Sequence, residues 1–255
     1  MKTILSIIAC IMLTVSVQAQ TKKVITSGTI EFEKRINMYA STKKYLGDKV
    51  SAQTQQFFDQ WKASAPQFAT LKSTLVFNNE TSLFTPIQPT TPIKNLVGNP
   101  LAKQFNTVYT DMRTGSNIMS KEIYGDLFLV KDSVRKITWR LTDETQDVAG
   151  YTCRRANGLI LDSVYVVAFY TDKIWMSSGP ESFSGLPGMI LKVALPYENV
   201  IWTATKVTTD EVPITTIVPP KKGDVITNKL LHEKLKVAMK NWGAQGPYEM
   251  KVYLL

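Results

Sequence analysis

Between residues 105 and 172 the chain offers six short runs that alternate apolar and polar side chains, with no helical stretch between them. They read "NTVYTDM", "NIMSKEIYG", "LFLVKD", "ITWRLTD", "YTCRRANGLI" and "SVYVVAFYTD", and turn signals at Thr114-Gly115, Gly125-Asp126 and Ala149-Gly150 separate them. A parallel pair needs a crossover of a dozen or more residues, usually a helix. Runs this closely spaced leave no room for one, so they predict an antiparallel meander. The same period of two places Ile30, Phe32, Lys34 and Ile36 on one face of "SGTIEFEKRINM", with Thr29, Glu31, Glu33 and Arg35 on the other. "STLVFNN" and "TSLFTPI" flank Asn78-Asn79-Glu80 as a hairpin, and "GMILKVAL" and "VIWTATKV" flank a turn around Tyr197–Asn199.

Helical spacing occurs in two places. In "DKVSAQTQQFFDQWKASAP", Phe58, Trp61 and Ala65 fall on one face, Asp48 or Ser51 is available as the cap, and Pro66 closes the run. A final helix is predicted over 228–242, with Leu231, Leu235, Ala238 and Trp242 as its buried stripe and Gly243 as its stop. Pro86, Pro89, Pro92 and Pro100 mark a long surface loop, and Pro213, Pro219 and Pro220 an extended linker. The fold class that follows is mainly β. An antiparallel meander sheet curls into a half-barrel or bowl, with one or two covering helices including a C-terminal one. Its concavity either holds an apolar ligand or is filled by the helices and aromatic side chains, and filling is the default.

The first residues have a different character. Met1-Lys2 gives a positive start, Ile4 to Val17 is apolar, and Val17-Gln18-Ala19 ends in a pattern that signal peptidase reads. Residues 1–19 therefore read as a secretory signal, with cleavage before Gln20 and one domain from 20 to 255. The apolar stretch is too short to span a membrane comfortably, which needs roughly 20 residues, so no transmembrane segment is expected in the mature chain. "IIAC" also resembles a lipoprotein box around Cys10, but the apolar run continues past it through Leu13. The ordinary signal is the favoured reading, and it implies a periplasmic, cell-surface or secreted protein.

Export leaves Cys153 as the single cysteine, so no internal disulfide is expected and the core must stand unaided. One histidine, His232, and one mature cysteine do not make a zinc or copper site. G-x-S-x-G, H-E-x-x-H and a phosphate-cradling glycine loop are all missing. No cofactor, metal or catalytic residue is therefore assigned. Carboxylates remain as a pair of the glycosidase kind: Asp143, Glu144, Asp147 and Asp162 in the central region, and Glu181 in the "GPESF" turn. "DETQD" reads as a polar surface loop. Arg154 and Arg155 are neighbours on a strand and point to opposite faces, so one faces inward. It then needs Asp143, Glu144 or Asp162 as a buried ion-pair partner, or else serves as a ligand contact. The net charge is +9, and much of the excess lies in residues 221–240. Lys229, Lys236 and Lys240 form a basic patch there, either a solvated helix face or a contact for anionic lipid or acidic glycan. Export argues against nucleic acid as a partner.

One stretch stands apart: "SSGPESFSGLPGMILKVALP", residues 177–196. Leu186 is pushed to an extended conformation by the proline after it. Pro187 and Gly188 fit the second and third positions of a type II turn, the third needing positive φ. Gly185, Leu186, Pro187, Gly188, Met189 and Ile190 are thus read as a structural turn that launches a strand. "ESFS" forms a pinned loop before it, with Phe183 free to plug the core. Taken with "AGYTCRRA", "ITWRLTD" and "IWTATKV", this stretch resembles the GLPGLI family of exported Bacteroidota proteins over roughly residues 105–210. Met189 replaces the leucine of the namesake hexapeptide. Ile174-Trp175 stands where many members carry Ile-Pro. The resemblance implies no settled activity and no catalytic residues. A subset of the family is similar to the N-terminal, bowl-like, β-rich domain of a flavobacterial peptide-N-glycosidase.

The function expected is an exported, non-enzymatic binding module of the cell envelope, its partner a protein, a lipid-like molecule or a glycan. The alternatives are an enzyme acting on glycans or glycoconjugates through a carboxylate pair, and a structural envelope protein.

Overall fold

A computed structural model describes residues 24–47, 50–90, 100–243 and 245–255. The expected signal over residues 1–19, with Cys10, Gln20, Asp48 and the middle of the proline-rich loop, lies outside them. Among the described residues, strand accounts for 45% and helix for 24%.

All the strands join one sheet. In chain order they are β1 (Gly28–Asn37), β2 (Phe68–Phe77), β3 (Thr81–Ile87), β4 (Thr107–Asp111), β5 (Ser116–Ile123) and β6 (Asp126–Ser133). Then follow β7 (Thr138–Val148), β8 (Tyr151–Ile160), β9 (Val164–Thr171), β10 (Met189–Leu195), β11 (Val200–Thr208) and β12 (Asp224–Ile226). Across the sheet they run β12-β6-β5-β4-β3-β2-β1-β11-β10-β9-β8-β7. Every pairing is antiparallel except that of β12 with β6. Two antiparallel meanders, β1 to β6 and β7 to β11, meet where β1 pairs with β11.

The sheet must curl. Strands β6 and β7 lie ten strand spacings apart, roughly 48 Å in a flat sheet. Yet only residues 134–137 connect them, and five peptide steps reach about 18 Å. The two ends therefore swing toward each other and leave an open seam. The sheet does not close.

The inner face continues from strand to strand because the registers align it. Ile30, Phe32, Lys34 and Ile36 of β1 stand opposite Leu75, Ser73, Leu71 and Ala69 of β2. On the other side Phe32, Lys34 and Ile36 meet Ala204, Trp202 and Val200 of β11. All of these side chains are buried. Each large apolar one contributes about 1.5–3 kcal/mol.

Among the described residues, five α-helices complete the fold: α1 (Met38–Leu46), α2 (Ala52–Ser64), α3 (Pro100–Lys103), α4 (Asn228–Ala238) and α5 (Gln245–Leu254). In α2, Ser51 is the cap, its hydroxyl accepting from the Thr54 N–H, and Phe58, Trp61 and Ala65 are buried. Helix α4 differs from its sequence reading, which carried it to residue 242 as the final helix. It ends at Ala238, and its buried stripe is Leu231, Leu235 and Met239. Ala238 is exposed and Trp242 is 38% exposed. A turn over 239–243 then reverses the chain into α5, which the sequence reading did not foresee. Helix α1 and β12 were also not anticipated. "DETQD" is likewise no loop: it belongs to β7, where the register slips between Leu141 and Thr145.

Candidate functional site

The segment between β9 and β10 braces the bowl from inside. Trp139 of β7 donates through Nε1 to the Ser184 carbonyl at 2.9 Å. Phe183 packs against Trp202 of β11 with ring centroids 5.9 Å apart, and the Ser178 and Ser82 hydroxyls lie 2.8 Å apart. Leu186, Met189 and Ile190 are buried. The turn is tighter than the type II form. Gly188 N–H donates to the Leu186 carbonyl at 2.8 Å, closing a γ-turn around Pro187, while Met189 N–H goes to Ile174. Gly188 has φ +144°, and a Cβ there would lie 2.1 Å from the Thr171 carbonyl oxygen, so only glycine fits.

This segment carries Glu181 inward, not onto a surface turn. Its carboxylate accepts from Asn106 Nδ2 at 3.1 Å and lies 3.9 Å from Lys34 Nζ. Lys34 also donates to the Leu101 carbonyl at 2.9 Å and lies over the Trp202 ring. Burial holds its ammonium below the usual lysine range, against the pull of Glu181. Beside it Lys121 donates to the Tyr253 carbonyl, Gln104 to Val252 at 2.7 Å, and Arg135 to Leu254 at 2.6 Å. The last turn of a helix leaves its carbonyls without intrahelical partners. Here three side chains from the sheet and its loops satisfy those of α5. Burial brings Lys121 down to about 7, with Glu181 opposing and Arg135 and Lys34 adding to the fall.

Among the described residues the interior beside Lys34 is therefore filled. A cavity of about 10 Å³ beside Lys34, Glu181 and Trp202 has room for a single water at most.

Two open clefts flank α5. The larger, about 680 Å³, occupies the seam between the β6–β7 connection, the β8–β9 turn and the start of α4. Its walls mix Asp132, Arg135, Lys136, Asp162, Lys229 and His232. Asp132 is committed to capping, accepting from the Asn228 and Ser133 N–H groups.

The second cleft, about 460 Å³, is lined by Tyr45, Tyr124, Trp242 and Tyr253 together with Pro100, Lys103, Glu122, Gly125 and Glu249. Its size is that of a small-molecule site. Tyr124 and Gly125, at φ +53° and +90°, form the two-residue turn between β5 and β6. Asp126 already belongs to β6, so the turn sits one residue earlier than the sequence reading had it. Positive φ at both positions is the type I′ pattern, for which Asn-Gly is preferred. A tyrosine there is unusual. Its ring, 59% exposed, stands edge-to-face with Trp242 at 5.3 Å and with Tyr253 at 5.4 Å.

Glu249 projects from α5 and is only 5% exposed. Burial raises its carboxyl above the ordinary range, although the Tyr45 hydroxyl and Lys103 pull the other way. Its Oε2 atom has no hydrogen-bond partner among the described residues. A buried, unsatisfied acceptor at the edge of an open cleft needs an explanation. We take this cleft as the candidate functional site.

The residues singled out from the sequence fall elsewhere. Arg154 and Arg155 do not form a buried pair. Arg154 reaches Asp143 at 3.1 Å and Arg155 reaches Glu144 at 2.6 Å, with guanidinium side chains 48% and 26% exposed. The β7 bulge is the cause, since it carries both acids outward and frees the Thr142 carbonyl, to which Arg154 Nε donates at 2.8 Å. Cys153 is fully buried, and burial pushes its thiol up to about 12. Lys229, Lys236 and Lys240 are exposed, the last beyond the end of α4. Among the described residues, no three His, Cys, Asp or Glu side chains group to hold a metal ion. No helix there is long and apolar enough to cross a membrane.

Sequence reading missed Glu122, Tyr124 and Glu249 because the cleft draws on separated elements. For the buried centre a signal did exist. Lys34 and Lys121 each take an inward place in an alternating strand, Lys121 between Met119 and Ile123.

Residues 158–192, from the end of β8 into β10, match the family described as "Protein of unknown function (Porph_ging)". No curated protein matches the chain. Among solved structures, two crystal forms of PNGF-II are similar, at 13% and 14% identity and a TM-score of 0.49 each. They cover 79% and 82% of this chain, which spans about a third of theirs, 31% and 33%. An uncharacterized conserved protein from Thermus thermophilus is 6% identical over 81% of this chain and 93% of its own, with a TM-score of 0.38. Likenesses at this level assign neither fold nor activity.

Proposed function

We propose that this chain is an exported, non-enzymatic binding module of the cell envelope, a member of the GLPGLI family, that takes its ligand in the aromatic cleft beside α5. One observation carries the reading: Tyr45, Tyr124, Trp242 and Tyr253 line an open volume of about 460 Å³ that also holds Glu249, whose Oε2 has no partner among the described residues. The filled interior supports it from the other side. Lys34 and Lys121 donate to the protein's own carbonyls beside a space that admits one water at most, which favours a ligand met at the surface. Lys229, Lys236 and Lys240 then serve to orient the module against anionic envelope surfaces.

A glycan-acting enzyme is the second reading, favoured because Glu122 and Glu249 share the cleft wall. Thermal denaturation of the chain with separated lipid, glycan and protein fractions of the envelope tests the first. A fraction that raises the melting temperature of the wild type, but not of Trp242→Ala, supports it. No such fraction, or turnover of an added glycan that Glu249→Gln abolishes, overturns it. Export is checked by intact mass, which should place the mature N-terminus at Gln20.

A further inference from the structure

Resting on the binding role just argued, we propose that the aromatic cleft takes a carbohydrate: an uncharged, polyhydroxylated ring that lies against Tyr124 and Trp242 and turns its hydroxyls to Glu122 and Glu249.

The choice of chemistry follows from what the cleft offers. A sugar ring has weakly polarised C–H groups on its faces and hydroxyls around its rim. The face of an aromatic ring is electronegative and accepts such C–H groups. Tyr124 and Trp242 keep much of their surface free, 59% and 38% exposed, although each already touches another ring. The rim hydroxyls need acceptors, and the cleft provides two carboxylates, one with an oxygen that finds no partner among the described residues. A hydroxyl donating to Glu249 Oε2 supplies the partner that this buried acceptor lacks among the described residues.

The other ligand chemistries fit less well. An acyl chain covers the rings and leaves Oε2 unsatisfied. An anionic ligand meets two carboxylates with only Lys103 to offset them. Both classes are outcomes of the test below.

The position of Tyr124 provides a clean variant. Asparagine is a preferred residue at its place in a type I′ turn, so Tyr124→Asn removes the ring without straining the hairpin. Isothermal titration calorimetry with neutral disaccharides (cellobiose, mannobiose and chitobiose, each into the full chain) reads the binding. Uptake of at least one, weakened about tenfold or more by both Tyr124→Asn and Trp242→Ala, supports the proposal, provided circular dichroism shows both variants folded. Sugar binding that neither variant weakens overturns it. If an alkyl detergent or an acidic peptide binds instead and Tyr124→Asn weakens that binding, the carbohydrate assignment falls and the binding module stands. If no probe binds, both fall.

Discussion

Lys121 carries the sharpest consequence of the filled interior. It is 2% exposed, with Nζ on the Tyr253 carbonyl. Burial brings its ammonium from 10.5 to about 7. In the unfolded chain the same group titrates near 10.4. Between these values the unfolded chain holds more protons on this side chain than the folded protein does. Stability must then rise with pH across the window, because the ammonium costs most where it is still charged inside the fold. From pH about 6.5 to about 9.5 the gain attributable to Lys121 is on the order of 3 kcal/mol.

Urea unfolding of the wild type and of Lys121→Met over that range isolates it, since every other titrating group is common to both. The substitution also leaves the Tyr253 carbonyl without its donor, a constant cost of about 1–3 kcal/mol. That shifts the two curves without tilting either. The difference in midpoint between wild type and variant should move in favour of the wild type as pH rises, by about 1 M urea for a protein of this size. Two curves that stay parallel would refute the reasoning. They would mean that water reaches Lys121 and that α5 does not seal the bowl.

Other substitutions probe other parts. Gly188→Ala should cost about 3 kcal/mol or more in chemical denaturation, because φ +144° disfavours a side chain and the new Cβ meets the Thr171 carbonyl. Glu249→Gln should raise the melting temperature near neutral pH. The carboxyl is held above its ordinary range by burial, so its ionised form destabilises the fold as pH rises through that raised value. The gain should vanish below pH about 4, where the acid is protonated in both states. Arg155→Ala should change stability by less than about 1 kcal/mol, since its partner Glu144 is 64% exposed. A larger loss in a double-mutant cycle with Glu144→Ala would mean that the pair is structural.

How much of this the sequence could reveal depended on the range of the interaction. Alternation reports only a strand and its neighbours, and it located β1 and the faces of Ile30, Phe32, Lys34 and Ile36 because each residue answers to the pleat. Ser51, Phe58 and Trp61 were legible for the same local reason. Helix α5 was not. "QGPYEMKVYL" holds two tyrosines, a glutamate and a lysine with little amphipathic order, and it is fixed by donors from Lys121, Gln104 and Arg135. Trp242 was misplaced by the same limit, because a period of 3.6 cannot show that the helix stops at Ala238. Arginines 154 and 155 obeyed the pleat argument until a bulge on the neighbouring strand moved their partners outward.

The inward lysines separate two things that a sequence joins. A lysine on the apolar face of a strand suggests a site, since buried charge is rare without function. In this protein Lys34 and Lys121 are buried, perturbed and close to Glu181, yet the space beside Lys34 and Glu181 admits at most one water. Their carbonyl partners come from α3 and α5, the helices that cover the bowl. These hydrogen bonds therefore fix the cover to the sheet. Once the cover is fixed, its outer edge is fixed as well, and that edge presents Glu249 and Tyr253 to the turn bearing Tyr124. The buried centre positions the cleft without touching what binds there. Glu249→Gln and Tyr124→Asn should therefore leave the pH dependence contributed by Lys121 unchanged, while Lys121→Met should weaken any cleft ligand through α5 alone.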